Sequence, residues 1–277
     1  MNDLTPLTTL FDEAQGGEVD LPAELAALYG RLVMPAHEGQ LQVIGNFVTT
    51  LDGVVDLGVA GKAGGAQISG HNRHDRAVMG LLRSIAGAVV VGAGTLRSVP
   101  GHLWTADYIY APLTDAYRAL RASLGETQQP LNVIVSERGD VQPTMRVFRG
   151  EVPVLVVTTP AGARAMHGRG MPEAVQIAEV ASEGALSAGS VMEVVNRVRP
   201  SRVVLVEGGP HLMGDFLAEK LLDELFLTLA PQVAGRDEGS ERPGFVVGKT
   251  FAPERPVWGD LVSARRAGSH LFLRYSF

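Results

Sequence analysis

The chain has 277 residues, a formal net charge of −6, an isoelectric point near 5.7 and no cysteine. Without cysteine it has no disulfide, thiol nucleophile or cysteine-liganded zinc site, and its acidic balance argues against a general nucleic-acid binder, which needs a basic face. No apolar run approaches the ~20 residues that span a bilayer, and no Lys or Arg precedes Arg31, so we predict a cytoplasmic protein without a signal peptide or a membrane partner.

The first predicted elements are a short helix and a long strand. Residues 1–40 are loosely patterned and form a predicted N-terminal extension, in which a helix follows Pro22 and stops at Gly30. Residues 41–51 are rich in β-branched and apolar side chains and predict a strand that ends at the Asp52-Gly53 turn signal. Residues 58–70 contain five glycines and predict a long loop of the kind that is often functional.

Helical and buried-strand patterns then alternate to the end of the chain. Predicted helices cover residues 69–85, 113–124 and 191–198, and predicted strands cover residues 89–91, 133–135, 154–157, 174–180, 203–206, 223–229 and 271–275. This order predicts an α/β fold with a mostly parallel central sheet, helices on both faces and antiparallel strands at the C-terminal edge. No linker divides residues 41–277, so we predict one domain there.

Two of the apolar strands end in glycine turns. The strand at 203–206 is followed by Gly208 and Gly209, and Pro210 suits the first position of a helix whose open N-terminus attracts phosphate. The strand at 89–91 is followed by Gly92 and Gly94. Glycine lets the backbone approach a ligand closely, so both turns together suit a ligand with two phosphates. The alternative is that each turn is only a tight connection.

Three charged residues near these turns are candidates for ligand recognition. Arg97 stands where the third glycine of G-x-G-x-x-G would fall, and a guanidinium there suits a ribose 2′-phosphate, unless it is an ordinary surface cation. Glu207 ends its strand where open α/β sheets place their ligand crevice. Arg83 lies among apolar helix positions and needs an anion or a carboxylate there, unless only its stem packs on the helix.

Polar residues also mark the end of the strand at 41–51. Asn46, Thr50 and Asp52 share one face by the two-residue period. Asp52 is suited to orienting an aminopyrimidine ring or moving a proton, and the alternative is that Asp-Gly only makes the turn. His71 and His74 stand three apart without an indicated third ligand, so we predict no metal site.

One known family contains all of these motifs in the same order. The matching stretches are residues 46–53, 68–83, 89–97, 133–136, 203–212 and 223–235. They resemble the reductase domain of the bacterial riboflavin-biosynthesis deaminase-reductase. That family has a dihydrofolate-reductase-like three-layer fold, uses NADPH, commonly forms homodimers and reduces 5-amino-6-(5-phosphoribosylamino)uracil at C1′ of the sugar. The resemblance therefore implies a phosphorylated pyrimidine as the partner substrate.

The resemblance also implies a role for each matching residue. Beside the two glycine turns and Arg97, the implied cofactor contacts are Val48, Thr50, Thr95, Ser136, Gly209, Pro210, His211 and Leu212. The implied substrate contacts are Asn46, Ser69, Arg83 and Glu207. Asp52 and Glu207 are the implied catalytic residues, and alignment of hydride donor and acceptor is the main contribution expected of the protein.

The sequence departs from the family in three places. The zinc deaminase half requires cysteines that this chain lacks, which leaves a stand-alone reductase. The basic residue that follows Asp-Gly in the family is Val54 here, and the aspartate after the first glycine turn is Val99. Both lie near implied substrate contacts, so a dihydrofolate or pterin-type reductase and a catalytically silent NADPH-binding paralogue are the alternatives.

Overall fold

The computed structural model describes residues 4–34, 41–59, 64–180, 186–239 and 242–277. Its strands are β1 (Thr8–Asp12), β2 (Gly17–Glu18), β3 (Val33–Met34), β4 (Gln42–Thr49), β5 (Ala88–Gly92), β6 (Leu131–Val135), β7 (Val154–Thr158), β8 (Gln176–Glu179), β9 (Val203–Val206), β10 (Glu224–Leu229), β11 (Asp260–Ala267) and β12 (His270–Ser276). Its α-helices are α1 (Ala23–Tyr29), α2 (Gly64–Ile68), α3 (Arg73–Ile85), α4 (Ala93–Ser98), α5 (Ala106–Ile109), α6 (Thr114–Ser123), α7 (Pro160–Gly168), α8 (Ala188–Val198) and α9 (Pro210–Ala218).

The described residues form one ten-stranded sheet in the order β1-β11-β12-β10-β4-β9-β5-β6-β7-β8. Each neighbouring pair from β10 to β8 is parallel, whereas β12, β11 and β1 are antiparallel to their neighbours. The predicted mostly parallel sheet with antiparallel C-terminal strands is confirmed. Because β9 lies between β4 and β5, the carboxyl ends of these three strands meet at one edge.

Helices cover both faces of this sheet. Alternate residues of β5 enter different cores, with Val89 and Val91 on one side and Ala88 and Val90 on the other. Helices α1, α3 and α6 pack on the first side, and α8 and α9 pack on the second. None of the helices in the described ranges is long and apolar enough to cross a membrane.

Residues 4–34 pack against the antiparallel edge of the sheet. Strand β1 pairs with β11, and Leu25 and Leu28 of α1 enter the same core as α3. Arg265, on β11, is buried and donates to Asp12 at 2.7 Å and to the Tyr29 carbonyl at 3.0 Å. The described part of the predicted extension therefore adds an edge strand and a core helix to this fold.

Several elements differ from the sequence prediction. Part of the predicted loop at 58–70 forms α2, because Ile68 is buried against Val48 and Ala230; residues 60–63 of that loop lie outside the described ranges. Strand β11 was not predicted, because Arg265 occupies a buried position of it and hides the apolar alternation. Tertiary contacts, which local patterns do not contain, fix both elements.

Candidate active site

The two glycine turns lie in direct contact at the carboxyl edge of the sheet. Strands β5 and β9 are parallel neighbours, so their turns emerge side by side. A Cβ on Gly208 would lie 2.6 Å from Cα of Val91 and 2.9 Å from the amide nitrogen of Gly92. A Cβ on Gly209 would lie 3.6 Å from Oγ1 of Thr95. The turns, separated by more than a hundred positions in sequence, therefore form one surface without side-chain bulk.

Helix α9 opens onto this surface. Gly209 is its N-cap with φ 72°, no side chain caps it, and Pro210 occupies its first turn, as predicted. A positive φ at Gly209 is accessible to glycine at little cost and strained for other residues. Uncapped amides at a helix N-terminus bind phosphate, and the absent Cβ at Gly208 lets this turn pack directly against Val91 and Gly92. The residues present therefore fit the pyrophosphate of a dinucleotide.

A cluster of charged and hydroxyl groups flanks the first turn. Ser136, at the end of β6, donates its hydroxyl to Oδ1 of Asp140 at 2.9 Å. Arg97 contacts the other oxygen of Asp140 at 2.8 Å, and Arg138, 83% exposed, lies 3.8 Å from it. Partial burial opposes ionisation of Asp140, but the hydrogen bond from Ser136 and the two guanidinium charges prevail and lower its pKa. Asp140 and Arg138 were not predicted as site residues.

Arg83 and Glu207 form a buried ion pair next to the second turn. Nη2 of Arg83 lies 2.7 Å from Oε2 of Glu207, and Nε lies 3.1 Å from both carboxylate oxygens. The two side chains are 2% and 4% exposed. Asn46, on β4, donates its amide to Oε1 of Glu207 at 3.4 Å. Three of the predicted substrate contacts thus lie together.

The remaining donors of Arg83 are also engaged. Nη1 donates to the carbonyls of Leu103 and Thr105, and Nη2 donates to Nε2 of His102 at 3.2 Å. Burial, together with the charge of Arg83, holds the pKa of His102 well below its usual range, so this imidazole is neutral and accepts the bond. Because all its donors have protein partners, Arg83 fixes the position of Glu207 and leaves no N–H for a phosphate.

Asp52 takes partners in a different loop. Its carboxylate accepts the hydroxyl of Thr50 at 2.6 Å and the amides of Ala234 and Gly235 at 3.0 and 2.7 Å. The Thr50 bond, followed by the Ala234 amide, lowers the pKa of Asp52. Asp52 is therefore ionised and joins the turn after β4 to residues 230–235. Asn46, expected to act with it, bonds Glu207 instead.

Asp75 is an acidic residue that sequence reasoning missed. It lies in the first turn of α3 and is 5% exposed. Burial raises its pKa from 3.8 to about 6, and the nearby Glu207 adds to that rise. A signal was present, because Asp75 is three residues from Val78 and therefore shares its buried face.

The other predicted residues fall into two groups. Val48, Thr50 and Leu212 are buried, and Leu212 packs in the second core, whereas His211 is exposed beside Gly248. The departures at Val54 and Val99 are apolar for a structural reason, since Val54 is fully buried and Val99 packs against the first core. In the described ranges no group of three or more His, Cys, Asp or Glu residues could hold a metal ion.

Comparison with known proteins agrees with this geometry. The family model of the RibD C-terminal domain matches residues 42–246. The chain belongs to the RibD C-terminal domain family. The predicted resemblance is confirmed, and with it the dihydrofolate-reductase-like fold. The chain is a reductase of the riboflavin-biosynthesis type, an oxidoreductase class that implies a nicotinamide cofactor.

Two curated relatives of this family are similar in sequence. The 2,5-diamino-6-ribosylamino-4(3H)-pyrimidinone 5′-phosphate reductase of Archaeoglobus fulgidus is 28% identical over 179 residues, which are 64% of this chain and 75% of that protein. The riboflavin biosynthesis protein RibD of Chlamydia pneumoniae is 28% identical over 167 residues, 59% of this chain and 39% of that protein. The chain thus spans about two fifths of the length of that RibD protein.

Solved structures show the same fold. A pyrimidine reductase-like protein of Corynebacterium diphtheriae has a TM-score of 0.65 and 20% identity, with 85% of this chain and 91% of that chain covered. The deaminase and 5-amino-6-(5-phosphoribosylamino)uracil reductase of Thermotoga maritima has a TM-score of 0.60 and 22% identity, with 86% and 57% covered.

Proposed function

We propose that this RibD-type protein is an NADPH-dependent reductase of a phosphorylated ribosylamino-pyrimidine that acts on C1′ of the sugar. The name of the Archaeoglobus relative specifies a substrate of this class. The observation that supports the proposal most directly is the contact between the two glycine turns beside the buried Glu207. The carboxyl edge of the sheet thus combines uncapped backbone amides with a fixed carboxylate.

Each half of the cofactor has residues suited to it. The amides that follow Gly209 would hold the pyrophosphate, and Arg97 and Arg138 would face a ribose 2′-phosphate. When bound, a reduced nicotinamide supplies the hydride. The protein contributes alignment, because the turns and the Arg83–Glu207 pair are set by the buried sheet rather than by mobile side chains.

On the substrate side, the polar groups are Asn46 on β4 and Glu207 at the end of β9. Because every donor of Arg83 is engaged, Arg83 holds the oxygens of Glu207 in fixed positions, and Glu207 would accept N–H groups of an aminopyrimidine ring. Asn46 would add one donor or acceptor beside it. Their fixed geometry favours a planar, polar ring in this position.

Substrate comparison tests the proposal. NADPH oxidation is followed with the phosphoribosylamino derivatives of 5-aminouracil and of 2,5-diaminopyrimidinone, and with dihydrofolate as the comparator. We expect turnover with a phosphoribosylamino-pyrimidine and at least tenfold lower kcat/KM with dihydrofolate. A preference for dihydrofolate would establish the pterin-type reductase, and NADPH binding without turnover of any substrate would establish a silent paralogue.

Cofactor preference tests the role of Arg97. A charge-assisted hydrogen bond to phosphate contributes about 1.5–3 kcal/mol, so Arg97→Gln should reduce the preference for NADPH over NADH by about tenfold or more. Arg118→Gln is the matched control, because Arg118 is also an exposed arginine that pairs with an aspartate, Asp107 at 3.7 Å, but it lies on α6. An unchanged preference in Arg97→Gln would remove Arg97 from the cofactor site.

We also propose a cytoplasmic homodimer. Trp258 is 82% exposed, and Leu261 and Phe277 are exposed at the same end of the β11–β12 pair. Exposed apolar side chains that lie together are typical of protein interfaces. Sedimentation velocity of the wild type and of Trp258→Ala measures the assembly: we expect a dimer that weakens in the variant, and a wild-type monomer at micromolar concentration would contradict it.

A further inference from the structure

An open cavity of about 380 Å³ lies at the amino edge of the sheet, away from the glycine turns. Among its lining residues, Gln129 precedes β6, and Glu151 and Val152 precede β7, so these three lie at the amino ends of two parallel strands. The glycine turns follow the carboxyl ends of β5 and β9, which run parallel to β6. The cavity is large enough for a small organic molecule and is separate from the proposed cofactor site.

One wall of this cavity is apolar and fixed. Leu103 and Val152 are buried there, and the ring of Tyr108 is exposed. The hydroxyl of Tyr108 donates to the carbonyl of Gly101 at 3.1 Å, and the centroid of its ring lies 4.7 Å from that of His102. Because these contacts hold the ring in place, the wall is preorganised for the apolar part of a ligand.

The two carboxylates that line the cavity already have protein donors. Glu151 accepts Nε and Nη2 of Arg146 at 2.9 and 2.7 Å. Asp107 accepts the side-chain amide of Gln129 at 3.3 Å and the backbone amide of Tyr108 at 3.0 Å. Each acid is therefore satisfied by the protein itself and needs no cation or N–H group from a ligand.

The guanidinium of Arg118, in contrast, has donors to spare. Its Nη2 lies 3.7 Å from Oδ2 of Asp107, beyond hydrogen-bond distance, and in the described part of the chain this side chain makes no hydrogen bond. Arg146 adds a second positive charge, with its guanidinium carbon 5.2 Å from the centroid of the Tyr108 ring. A guanidinium with free N–H groups binds carboxylate or phosphate in a bidentate way. Unused donors beside satisfied acceptors therefore favour an anion in this cavity.

We propose that this cavity binds a small organic anion, whose phosphate or carboxylate group contacts Arg118 while its apolar part packs on Tyr108. The inference goes beyond the proposed function and does not rest on it. Leu103 and Thr105 line the cavity, and their carbonyls accept N–H groups of Arg83. The anion would therefore lie one backbone segment away from the buried ion pair, on the side opposite to the glycine turns.

Calorimetric titration with phenyl phosphate tests this site, on wild-type protein that is saturated with NADPH so that the glycine turns are occupied. We expect one molecule to bind with a Kd below about 1 mM. Arg118→Gln should raise this Kd about tenfold or more, because it removes the charge-assisted hydrogen bonds to the anion. Arg149→Gln is the matched control, because Arg149 is also an exposed arginine but lies outside the cavity lining and donates to the carbonyl of Thr144.

Phenol and benzoate separate the contribution of the charge from that of the ring. Phenol should not bind at an about tenfold higher concentration, whereas benzoate binding that Arg118→Gln weakens would extend the ligand class to carboxylates. Phenyl phosphate should shift the amide resonances of residues 103–108 most. Phenol binding as tight as that of phenyl phosphate, an unchanged Kd in Arg118→Gln, or a loss of binding in Arg97→Gln instead would overturn the assignment. Failure of NADPH to bind would overturn the proposed function, and comparison of Arg118→Gln with Arg97→Gln would still locate the anion.

Discussion

Arg83 and Glu207, 124 positions apart in sequence, are joined at 2.7 Å with both side chains almost completely buried. The pair links α3 to the carboxyl end of β9, where the second glycine turn begins. A buried pair of this kind is costly to form and more costly to break, because removal of one partner leaves the other charge without solvent. We infer that the pair sets the geometry of the site.

Arg83→Met should destabilise the fold by about 3–5 kcal/mol, since it leaves the Glu207 carboxylate buried without its cation. Urea unfolding measures this change. The control is Arg146→Met, because Arg146 contacts Glu151 at the same 2.7 Å but both side chains are more than a third exposed. Loss of that exposed pair should leave the free energy of unfolding nearly unchanged. Equal effects of the two substitutions would show that the buried pair has no special role.

Gly208→Ala should weaken NADPH binding strongly. The new Cβ would lie 2.6 Å from Cα of Val91 and 2.9 Å from the amide nitrogen of Gly92, and backbone atoms there cannot move without separating β5 from β9. We expect Kd for NADPH to rise about a hundredfold and stability to fall by about 1–3 kcal/mol. Gly101→Ala is the control, because no atom lies within 4 Å of its Cβ position. Wild-type affinity in Gly208→Ala would contradict the contact between the turns.

Asp52→Asn should loosen the loop at residues 230–235 without altering the pH dependence of the reaction. Asparagine keeps one acceptor but loses the second, so the amide of Gly235 should exchange with deuterium faster. Because the pKa of Asp52 is lowered, its stabilising bonds are present above the pKa of the unfolded chain and are lost only as pH falls into the acid range. A catalytic pKa that is removed by Asp52→Asn would show that Asp52 takes part in proton transfer.

The matched control for that variant is Asp56→Asn, because Asp56 also accepts a backbone amide, that of Gly58 at 2.9 Å, but within its own turn. Hydrogen exchange at Gly235 should be unchanged in it.

Asp75→Asn should gain stability over the wild type as pH rises. Burial raises the pKa of Asp75 from 3.8 to about 6, so its ionisation costs folding free energy; the cost begins above pH 4 and is complete above pH 7. The difference between these two pKa values corresponds to about 3 kcal/mol of folding free energy, at 1.36 kcal/mol per pKa unit. Urea unfolding of both proteins at pH 4 and pH 8 should show this divergence, and parallel stability curves would mean that Asp75 ionises as readily in the folded protein as in the unfolded chain.

The sequence predicted the parts of the site that local patterns determine. An apolar strand followed by Gly208, Gly209 and Pro210 folds as a strand, a turn and a helix, and the same holds for the strand before Gly92. The two turns are in contact because β5 and β9 are parallel neighbours in the sheet, so that both turns emerge at the same edge. Glu207 was also recognised as a carboxylate at a strand end, whereas Asn46 was expected to act with Asp52 and bonds Glu207 instead.

The rest depended on contacts between distant segments. No local pattern shows that the N–H groups of Arg83 donate to Glu207, His102 and two carbonyls. Nor does it show that the Asp52 carboxylate accepts the amides of residues 234 and 235. Asp75 resembled an ordinary acid in the first turn of a helix, and its burial was not apparent from that position. The lowered pKa of Asp52 and the raised pKa of Asp75 therefore depend on contacts that the sequence does not show.

The most direct test of the central claim is a crystal structure with bound NADPH. We expect the pyrophosphate to lie against Gly208 and Gly209 at the N-terminus of α9, with the 2′-phosphate near Arg97 and the nicotinamide toward Asn46 and Glu207. A dinucleotide bound away from the two glycine turns, or no binding at millimolar NADPH, would contradict it.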